Sequence, residues 1–232
     1  MSLPHFTFLM SRKLYKHAIS PCPTVFQLLK IAVLGSTRGT DLQAIIDAIN
    51  GHRLKAEIVA VISNKKDAYI LERAKKYRLP AFFLDPKGKS KEDYDHEILS
   101  VLEEKGADLI MLIGYMKIVT KVLIDIYPDK IINVHPSLLP KYGGGMDKDV
   151  HKAVLKAKEK VTGCTVHIVT EEVDKGPILL QRQVPVLSSD TAETLKIRVQ
   201  QAEQTCLVKV LQLYAGNRIR IENNKAIVLP EN

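Results

Sequence analysis

The signals that decide the fold lie in one stretch, Lys30-Ile31-Ala32-Val33-Leu34-Gly35-Ser36-Thr37-Arg38-Gly39-Thr40-Asp41-Leu42-Gln43. Its apolar run at 31–34 ends at a glycine and predicts a short buried strand. Thr40 and Gln43 have the spacing of a capping box, so we expect a helix to begin at Thr40. Apolar residues then recur at helical intervals until Gly51 (Leu42, Ile45, Ile46 and Ile49). The stretch therefore predicts a strand, a turn and an amphipathic helix.

The same alternation of strand and helix continues to residue 135. Further strands are predicted at 58–62, 81–84, 109–113 and 131–134, and helices at 68–77, 90–104 and 118–126. The 109–113 run is apolar on both faces, which is typical of a central strand. Alternating strands and helices indicate a mostly parallel sheet with helices on both faces.

After a predicted helix at 149–158 the pattern changes. Strands at 165–170 and 178–186 follow one another without a helix between them, and a long amphipathic helix is predicted at 191–214. Two short runs joined by Asn223-Asn224 predict a terminal hairpin. The expected fold class is α/β: a Rossmann-like, mostly parallel sheet flanked by helices on both faces, with C-terminal strands and a long helix.

Composition and charge indicate a globular protein. The chain has 232 residues, of which 46% are hydrophobic, so disorder and fibrous repeats are excluded. We expect residues 1–29 to be a basic, disordered extension and residues 30–232 to form one domain. Arg12, Lys13, Lys16 and Lys30 lie in the first 30 residues without any acidic residue, and without them the net charge falls from +8 to +4. That balance suits small anionic molecules, so nucleic acid is not the expected partner.

Membrane and metal chemistry are not expected either. The longest apolar run, at 107–116, is shorter than the roughly 20 residues that a membrane span needs. Cys22, Cys164 and Cys206 are widely spaced, and no cysteine and histidine cluster has the spacing of metal ligands. Reduced thiols in a cytoplasmic protein are the expected state.

Ligands of such a sheet bind beyond the carboxyl ends of the strands, which makes the loops at 35–41, 63–67, 114–118 and 135–147 candidate sites. Residues 35–40 lack the Gly-Lys-Ser/Thr ending of a Walker A loop and the dinucleotide pattern of three glycines. Backbone N–H groups at a helix N-terminus nevertheless bind anions. Either a site for a single phosphate or a plain tight turn fits these residues.

Asn133 and His135 follow a buried strand and lie two residues apart, so they face the same side. An amide beside an imidazole makes a plausible pair for stabilising an oxyanion and transferring a proton. The acidic residues Glu171, Glu172 and Asp174 precede a Gly-Pro turn. They form either a solvated loop or, if the loop reaches His135, the source of a carboxylate that orients the ring and favours its cationic form.

These segments resemble the folate-dependent formyltransferases. Asn-Val-His-Pro-Ser-Leu-Leu-Pro-Lys-Tyr at 133–142 is similar to the signature of that family, and Asp174 follows at the expected distance. Segments 42–48, 62–65, 114–118 and 198–203 resemble the branch that formylates glycinamide ribonucleotide. The resemblance covers residues 30–222. Arg38, Asp41 and a longer segment at 143–151 depart from the pattern of many members.

The resemblance implies a role for each matched residue. Asn133, His135 and Asp174 correspond to the catalytic trio. The residues matching the ribonucleotide site are Gly39, Thr40 and Asp41 for the phosphate, and Gln200 and Glu203 for the ribose and glycine part. The residues matching the folate site are Lys91, Met116, Lys117, Ile118, Val119, Asn133, Thr170, Glu171, Glu172, Val173 and Asp174.

The implied activity is transfer of the formyl group of 10-formyltetrahydrofolate, a cosubstrate, to the glycine amine of glycinamide ribonucleotide in purine synthesis. The resemblance implies small-molecule substrates, no metal, and a cytoplasmic monomer or homodimer.

Other functions remain open at this point. A methionyl-tRNA formyltransferase would use the same trio but carry a further C-terminal domain, for which only residues 219–232 remain. A formyltetrahydrofolate hydrolase would need an N-terminal regulatory domain. A non-catalytic ligand-binding protein could share the fold, although the intact trio argues against it. A nucleic-acid-binding role would need a basic stripe, whereas the lysines at 152, 156, 158 and 160 are better interpreted as solvated.

Overall fold

A computed structural model describes residues 28–144 and 147–231 of the chain. The predicted extension at 1–29 lies outside these residues, apart from Leu28 and Leu29. In chain order the strands and helices are β1 (Leu29–Gly35), α1 (Thr40–Asn50), β2 (Ala56–Ser63), α2 (Tyr69–Lys76), β3 (Ala81–Phe83), α3 (Lys91–Lys105), β4 (Leu109–Ile113), α4 (Lys121–Ile126), β5 (Ile131–His135), α5 (Asp147–Lys156), β6 (Val161–Ile168), β7 (Ile178–Pro185), α6 (Ala192–Ala215), β8 (Ile219–Glu222) and β9 (Lys225–Val228).

The main sheet has seven strands in the order β3-β2-β1-β4-β5-β6-β7, and β8 pairs separately with β9. Strands β1 to β5 are parallel, whereas β6 is antiparallel to both β5 and β7. The predicted fold class is therefore confirmed, with β4 in the centre of the sheet. The parallel strands end at one edge, and there the order reverses between β1 and β4, where ligands of such sheets bind.

Helices cover both faces of the sheet because the strand side chains alternate. Ile31 and Val33 belong to one buried cluster, which contains residues of α1, α2 and α6. Ala32 and Leu34 belong to a second cluster on the opposite face, which contains residues of α3 and α4. Both clusters are apolar, which explains why the strands appear in the sequence as continuous apolar runs.

The predicted capping box at the start of α1 is wrong. Gly39 is the N-cap, with a φ of 62°, and no side chain caps the helix. A β-carbon on Gly39 would lie 2.5 Å from the Ile70 side chain, so both the backbone and the packing require glycine here. Thr40 is instead the first helical residue, and its hydroxyl accepts a hydrogen bond from the side-chain amide of Gln200.

Two other boundaries differ from the prediction by three residues or more. Helix α4 begins at Lys121 and not at residue 118, because Thr120 caps it by accepting a hydrogen bond from the Val122 N–H at 3.3 Å. Strand β6 begins at Val161, earlier than the predicted 165, because its first residues pair with the end of β7. A local cap decides the first boundary, and pairing with a strand further along the chain decides the second.

Gly163 provides a test of the packing between β6 and β7. A β-carbon there would lie 2.0 Å from the Arg182 carbonyl oxygen, so the backbone would have to move. We expect Gly163→Ala to lower the free energy of unfolding by about 1–3 kcal/mol. Gly216→Ala is the matched control, because its nearest neighbours lie 3.4 Å away. Urea unfolding measures the free energy of unfolding of both variants. Equal stabilities of the Gly163→Ala and Gly216→Ala variants would contradict the packing described.

Candidate active site

Asn133 and His135 lie at the carboxyl end of β5, on the strand that borders the antiparallel part of the sheet. In the β5–β6 register, Asn133 is opposite His167 and His135 is opposite Thr165. The loop between β6 and β7 then brings Asp174 back over the end of β5. This arrangement places the three predicted catalytic residues and His167 in one cluster.

His135 is buried, and both of its ring nitrogens face polar groups. Nδ1 lies 3.0 Å from the Ser137 hydroxyl oxygen, and that hydroxyl donates to the Lys141 carbonyl at 2.6 Å. Since a serine has one hydroxyl proton, Nδ1 must carry a hydrogen and donate it to Ser137. Nε2 lies 3.3 Å from Asp174 Oδ2, and a second ring proton there would face a carboxylate. The Asp174 carboxylate favours the imidazolium form of His135, whereas burial of the ring opposes it.

Asp174 has the backbone conformation of a tight turn, with a φ of 57°. Its Oδ2 accepts a hydrogen bond from the Gly144 N–H at 2.7 Å, and its Oδ1 lies 3.4 Å from His167 Nε2. Burial alone would raise the pKa of Asp174. Hydrogen bonding with His167 and Gly144, together with the charge of His135, instead lowers that pKa below the usual carboxyl value. Asp174 is therefore ionised near neutral pH.

His167 is a member of the cluster that the sequence did not single out. Its Nδ1 donates to the Ile168 carbonyl at 2.9 Å, and its Nε2 lies 3.1 Å from the Asn133 amide nitrogen. Nε2 therefore faces both the Asn133 amide and the Asp174 carboxylate. The available signal was a histidine in a predicted strand, but only the pairing of β5 with β6 shows which residue it faces.

The other two acidic residues of the β6–β7 loop do not reach the cluster. Glu171 forms an ion pair with Lys121 at 2.7 Å, and Glu172 forms one with Lys175 at 2.5 Å. Both carboxylates are exposed. For these two the solvated interpretation holds, and their predicted contact with folate remains an expectation. Thr170 donates its hydroxyl to the Glu172 carbonyl, and Val173 is exposed.

The predicted ribonucleotide residues lie together although they are distant in sequence. Helix α6 crosses the N-terminus of α1, where the Gln200 amide donates to the Thr40 hydroxyl. Gly39 is buried at the turn, and Asp41 and Glu203 are buried on α1 and α6. An open cavity of about 540 Å³ lies beside this turn, and its lining includes Arg38 and Lys65. Backbone N–H groups and nearby cations make the turn suited to an anion.

The predicted folate segment, residues 116–119, follows β4 at the same edge of the sheet. Met116 and Lys117 are half-buried, Val119 is buried, and Ile118 is 56% exposed. The Lys117 ammonium lies 5.1 Å from the centre of the Tyr94 ring on α3. Lys91, exposed, is the first residue of that helix, one turn before Tyr94. This side of the cluster thus offers exposed apolar surface with two lysines nearby.

Asp95 anchors the far end of this segment. Its Oδ2 accepts a hydrogen bond from the Thr120 N–H at 2.7 Å, and the residue is 2% exposed. Burial raises the pKa of Asp95 above its usual value, although the Thr120 hydrogen bond opposes this. A buried carboxylate therefore holds the backbone at the point where the segment enters α4.

Two kinds of feature are absent from the described residues. Within 28–144 and 147–231, no three His, Cys, Asp or Glu side chains group closely enough to hold a metal ion. No helix in those same ranges is long and apolar enough to cross a membrane.

Comparison with known proteins identifies the class. Residues 29–211 match the family described as formyl transferase, and the chain belongs to that family. It is 41% identical over 198 residues to phosphoribosylglycinamide formyltransferase of Haemophilus influenzae, which covers 85% of this chain and 92% of that protein. These matches confirm the family predicted from the sequence.

Solved structures agree on the fold and introduce one rival. Glycinamide ribonucleotide transformylase 1 from Symbiobacterium toebii superimposes with a TM-score of 0.84 at 39% identity, covering 88% of this chain and 95% of that one. A formyltetrahydrofolate deformylase from Pseudomonas syringae pv. tomato has a TM-score of 0.81 at 26% identity, covering 88% of this chain and 67% of that one. The rival shares the fold but is less similar in sequence.

The lowered pKa of Asp174 predicts how stability depends on pH. A carboxyl whose folded-state pKa is depressed contributes stability above its unfolded value, and that contribution is lost as pH falls through the folded value. The stability advantage of the wild type over Asp174→Asn should be constant near neutral pH and shrink below about pH 4. Denaturant unfolding at a series of pH values measures this difference in the free energy of unfolding. Glu172→Gln, at an exposed ion pair, should change little, and an Asp174 advantage that grows in acid would contradict this account.

Asp95 should affect the pH dependence of stability in the opposite direction to Asp174, because its folded-state pKa is raised. Its ionisation opposes folding, so stability is lost as pH rises through that value. Asp95→Asn keeps an acceptor for the Thr120 N–H and removes the buried charge, so we expect it to be at least as stable as the wild type at pH 7. Asp95→Ala leaves the N–H unpaired and should lose about 1–3 kcal/mol. Thermal unfolding compares the two variants, and equal losses would contradict the proposed anchor.

Proposed function

We propose that the chain transfers the formyl group of 10-formyltetrahydrofolate to the glycine amine of glycinamide ribonucleotide, yielding formylglycinamide ribonucleotide and tetrahydrofolate. The observation that carries the proposal is the position of the Asn133, His135 and Asp174 cluster. It lies after β5, at the same edge of the sheet as the turn after β1 that is bridged to Gln200 and the segment after β4 that exposes Ile118. A phosphate-bearing amine and a folate would therefore meet at the cluster.

Attack of the amine on the formyl carbon produces a tetrahedral intermediate with a negatively charged oxygen. The Nε2–H of the His135 imidazolium, which faces Asp174 Oδ2 at 3.3 Å, would share its hydrogen bond with that oxygen, while the Asp174 charge stabilises the cation. The Asn133 amide has two hydrogens, and only one is needed for His167, so the other is available to the oxyanion. The intermediate collapses when the proton lost by the amine reaches the folate N10 leaving group.

The resemblance supports the finer parts of the proposal. Gly39, Thr40 and Asp41 would bind the phosphate, and Gln200 and Glu203 the ribose and glycine part. Residues 116–119, 170–174 and Lys91 would contact the folate. We further propose that residues 30–232 act as one domain, without a metal, as a cytoplasmic monomer or homodimer. Cys164 and Cys206 are both free thiols, as a reducing compartment would leave them.

Formyl transfer with each substrate omitted in turn tests the proposal and its rivals. Release of tetrahydrofolate that requires glycinamide ribonucleotide supports it. Release without the ribonucleotide would instead indicate a deformylase, the activity named for the Pseudomonas relative. Transfer to methionyl-tRNA and not to the ribonucleotide would indicate another branch of the family, and binding of folate without turnover would indicate a non-catalytic protein.

Substitutions in the cluster should remove catalysis and leave the fold intact. Loss of one oxyanion donor costs about 10²–10³ in rate, so His135→Ala and Asp174→Ala should each lower kcat by at least that factor. His96→Ala is the matched control, because this histidine is exposed on α3. Steady-state kinetics with circular dichroism as a check on folding measures the effect. Wild-type turnover in either cluster variant would remove the basis of the assignment.

A further inference from the structure

Ser36 joins three loops at the carboxyl edge of the sheet. It is 4% exposed, and its hydroxyl donates to the Asn64 side-chain oxygen, after β2, at 2.6 Å. The same oxygen accepts from the Met116 N–H, after β4, at 2.9 Å. The Ser36 N–H also donates to the Gly114 carbonyl at 3.2 Å. The loops that follow β1, β2 and β4 are therefore bound to one residue.

The direction of these hydrogen bonds fixes the role of the hydroxyl. Its single proton is used by Asn64, so only a lone pair remains for Met116. Asn64 thereby orients the hydroxyl, and the oxygen of Ser36 acts as the acceptor that holds the start of the folate segment. Ser36→Ala therefore removes this acceptor from the Met116 N–H.

Packing reinforces the link beside Ser36. A β-carbon on Gly114 would lie 2.4 Å from the Thr37 hydroxyl oxygen, so the loops after β1 and β4 are in close contact. The Thr37 carbonyl in turn accepts from the Ile70 N–H at 3.1 Å, at the start of α2. Residues 36 and 37 therefore cannot shift without displacing the segment after β4.

We propose that Ser36 is a positioning residue that couples the two substrate sites. This inference rests on the proposed function, which assigns the ribonucleotide phosphate to the turn at 39–41 and the folate to residues 116–119. Ser36 begins the first of these loops and holds the second. A ligand that orders either loop orders the other, so the second ligand binds to a site already prepared and binds more tightly.

The coupling can be measured with two ligands that do not react with each other, tetrahydrofolate and glycinamide ribonucleotide. Tetrahydrofolate carries no formyl group, so its dissociation constant can be determined by calorimetry with and without saturating glycinamide ribonucleotide. For the full-length wild type we expect the ribonucleotide to tighten folate binding by at least about 5-fold, the lower end of typical coupling. The coupling ratio is the folate dissociation constant without the ribonucleotide divided by that with it. In Ser36→Ala this ratio should fall close to 1, while each ligand alone still binds.

Asp95→Ala is the matched control, because it removes the anchor at the other end of the same segment. The hydrogen bond of Asp95 goes to Thr120, at the α4 end of the segment. We expect this variant to weaken folate binding but keep the wild-type ratio. A purely structural effect of loosening the folate segment would lower the ratio equally in both variants, which would overturn the proposal.

Hydrogen exchange of the wild type tests the link without any substitution. The Met116 amide, whose N–H is bonded to Ser36, should exchange more slowly when glycinamide ribonucleotide alone is bound. Unchanged exchange there, a wild-type ratio of 1, or a Ser36→Ala ratio equal to that of the wild type would each overturn the coupling. If the ribonucleotide does not bind, the proposed acceptor fails, and inorganic phosphate then probes the same turn with the same expected effects on Met116.

Discussion

The antiparallel pairing of β6 with β5 is the constraint on which the site depends. The parallel strands by themselves supply Asn133 and His135 at an open edge. Because β6 runs back along β5, it places His167 opposite Asn133, and the following loop returns Asp174 to within 3.3 Å of His135. A carboxylate in this position is held by two histidines and a backbone N–H, so it is an anion built into the fold and not a surface charge.

The order of strands determines where the ligands can meet. The reversal between β1 and β4 leaves the loops after these strands side by side, and α6 closes one side by its contact with Thr40. Each loop supplies a different chemistry: backbone N–H groups at the turn before α1, the exposed Ile118 side chain after β4, and the titratable cluster after β5. Since β1, β4 and β5 are neighbours in that order, the three loops lie side by side at one edge of the sheet.

Much of this arrangement could be predicted from the sequence, and the failures have physical causes. The strands were predictable because both faces of the sheet are covered, which produces continuous apolar runs such as 109–113. Asn133, His135 and Asp174 were recognised through the family resemblance. Thr40 was assigned wrongly as a cap because its spacing to Gln43 is local, whereas the bond from Gln200 comes from 160 residues away. His167 and Ser36 were not singled out, since their partners are defined by strand pairing and loop contact.

The central claim is that Asp174 acts through His135, as one unit with it. A double-mutant cycle on kcat for formyl transfer tests this most directly, with His135→Ala, Asp174→Ala and the combined variant. Residues that act as a unit are strongly non-additive, so the double variant should lose about as much rate as the His135 variant alone. A double variant whose losses multiply would show that the two side chains act independently, and would contradict the account.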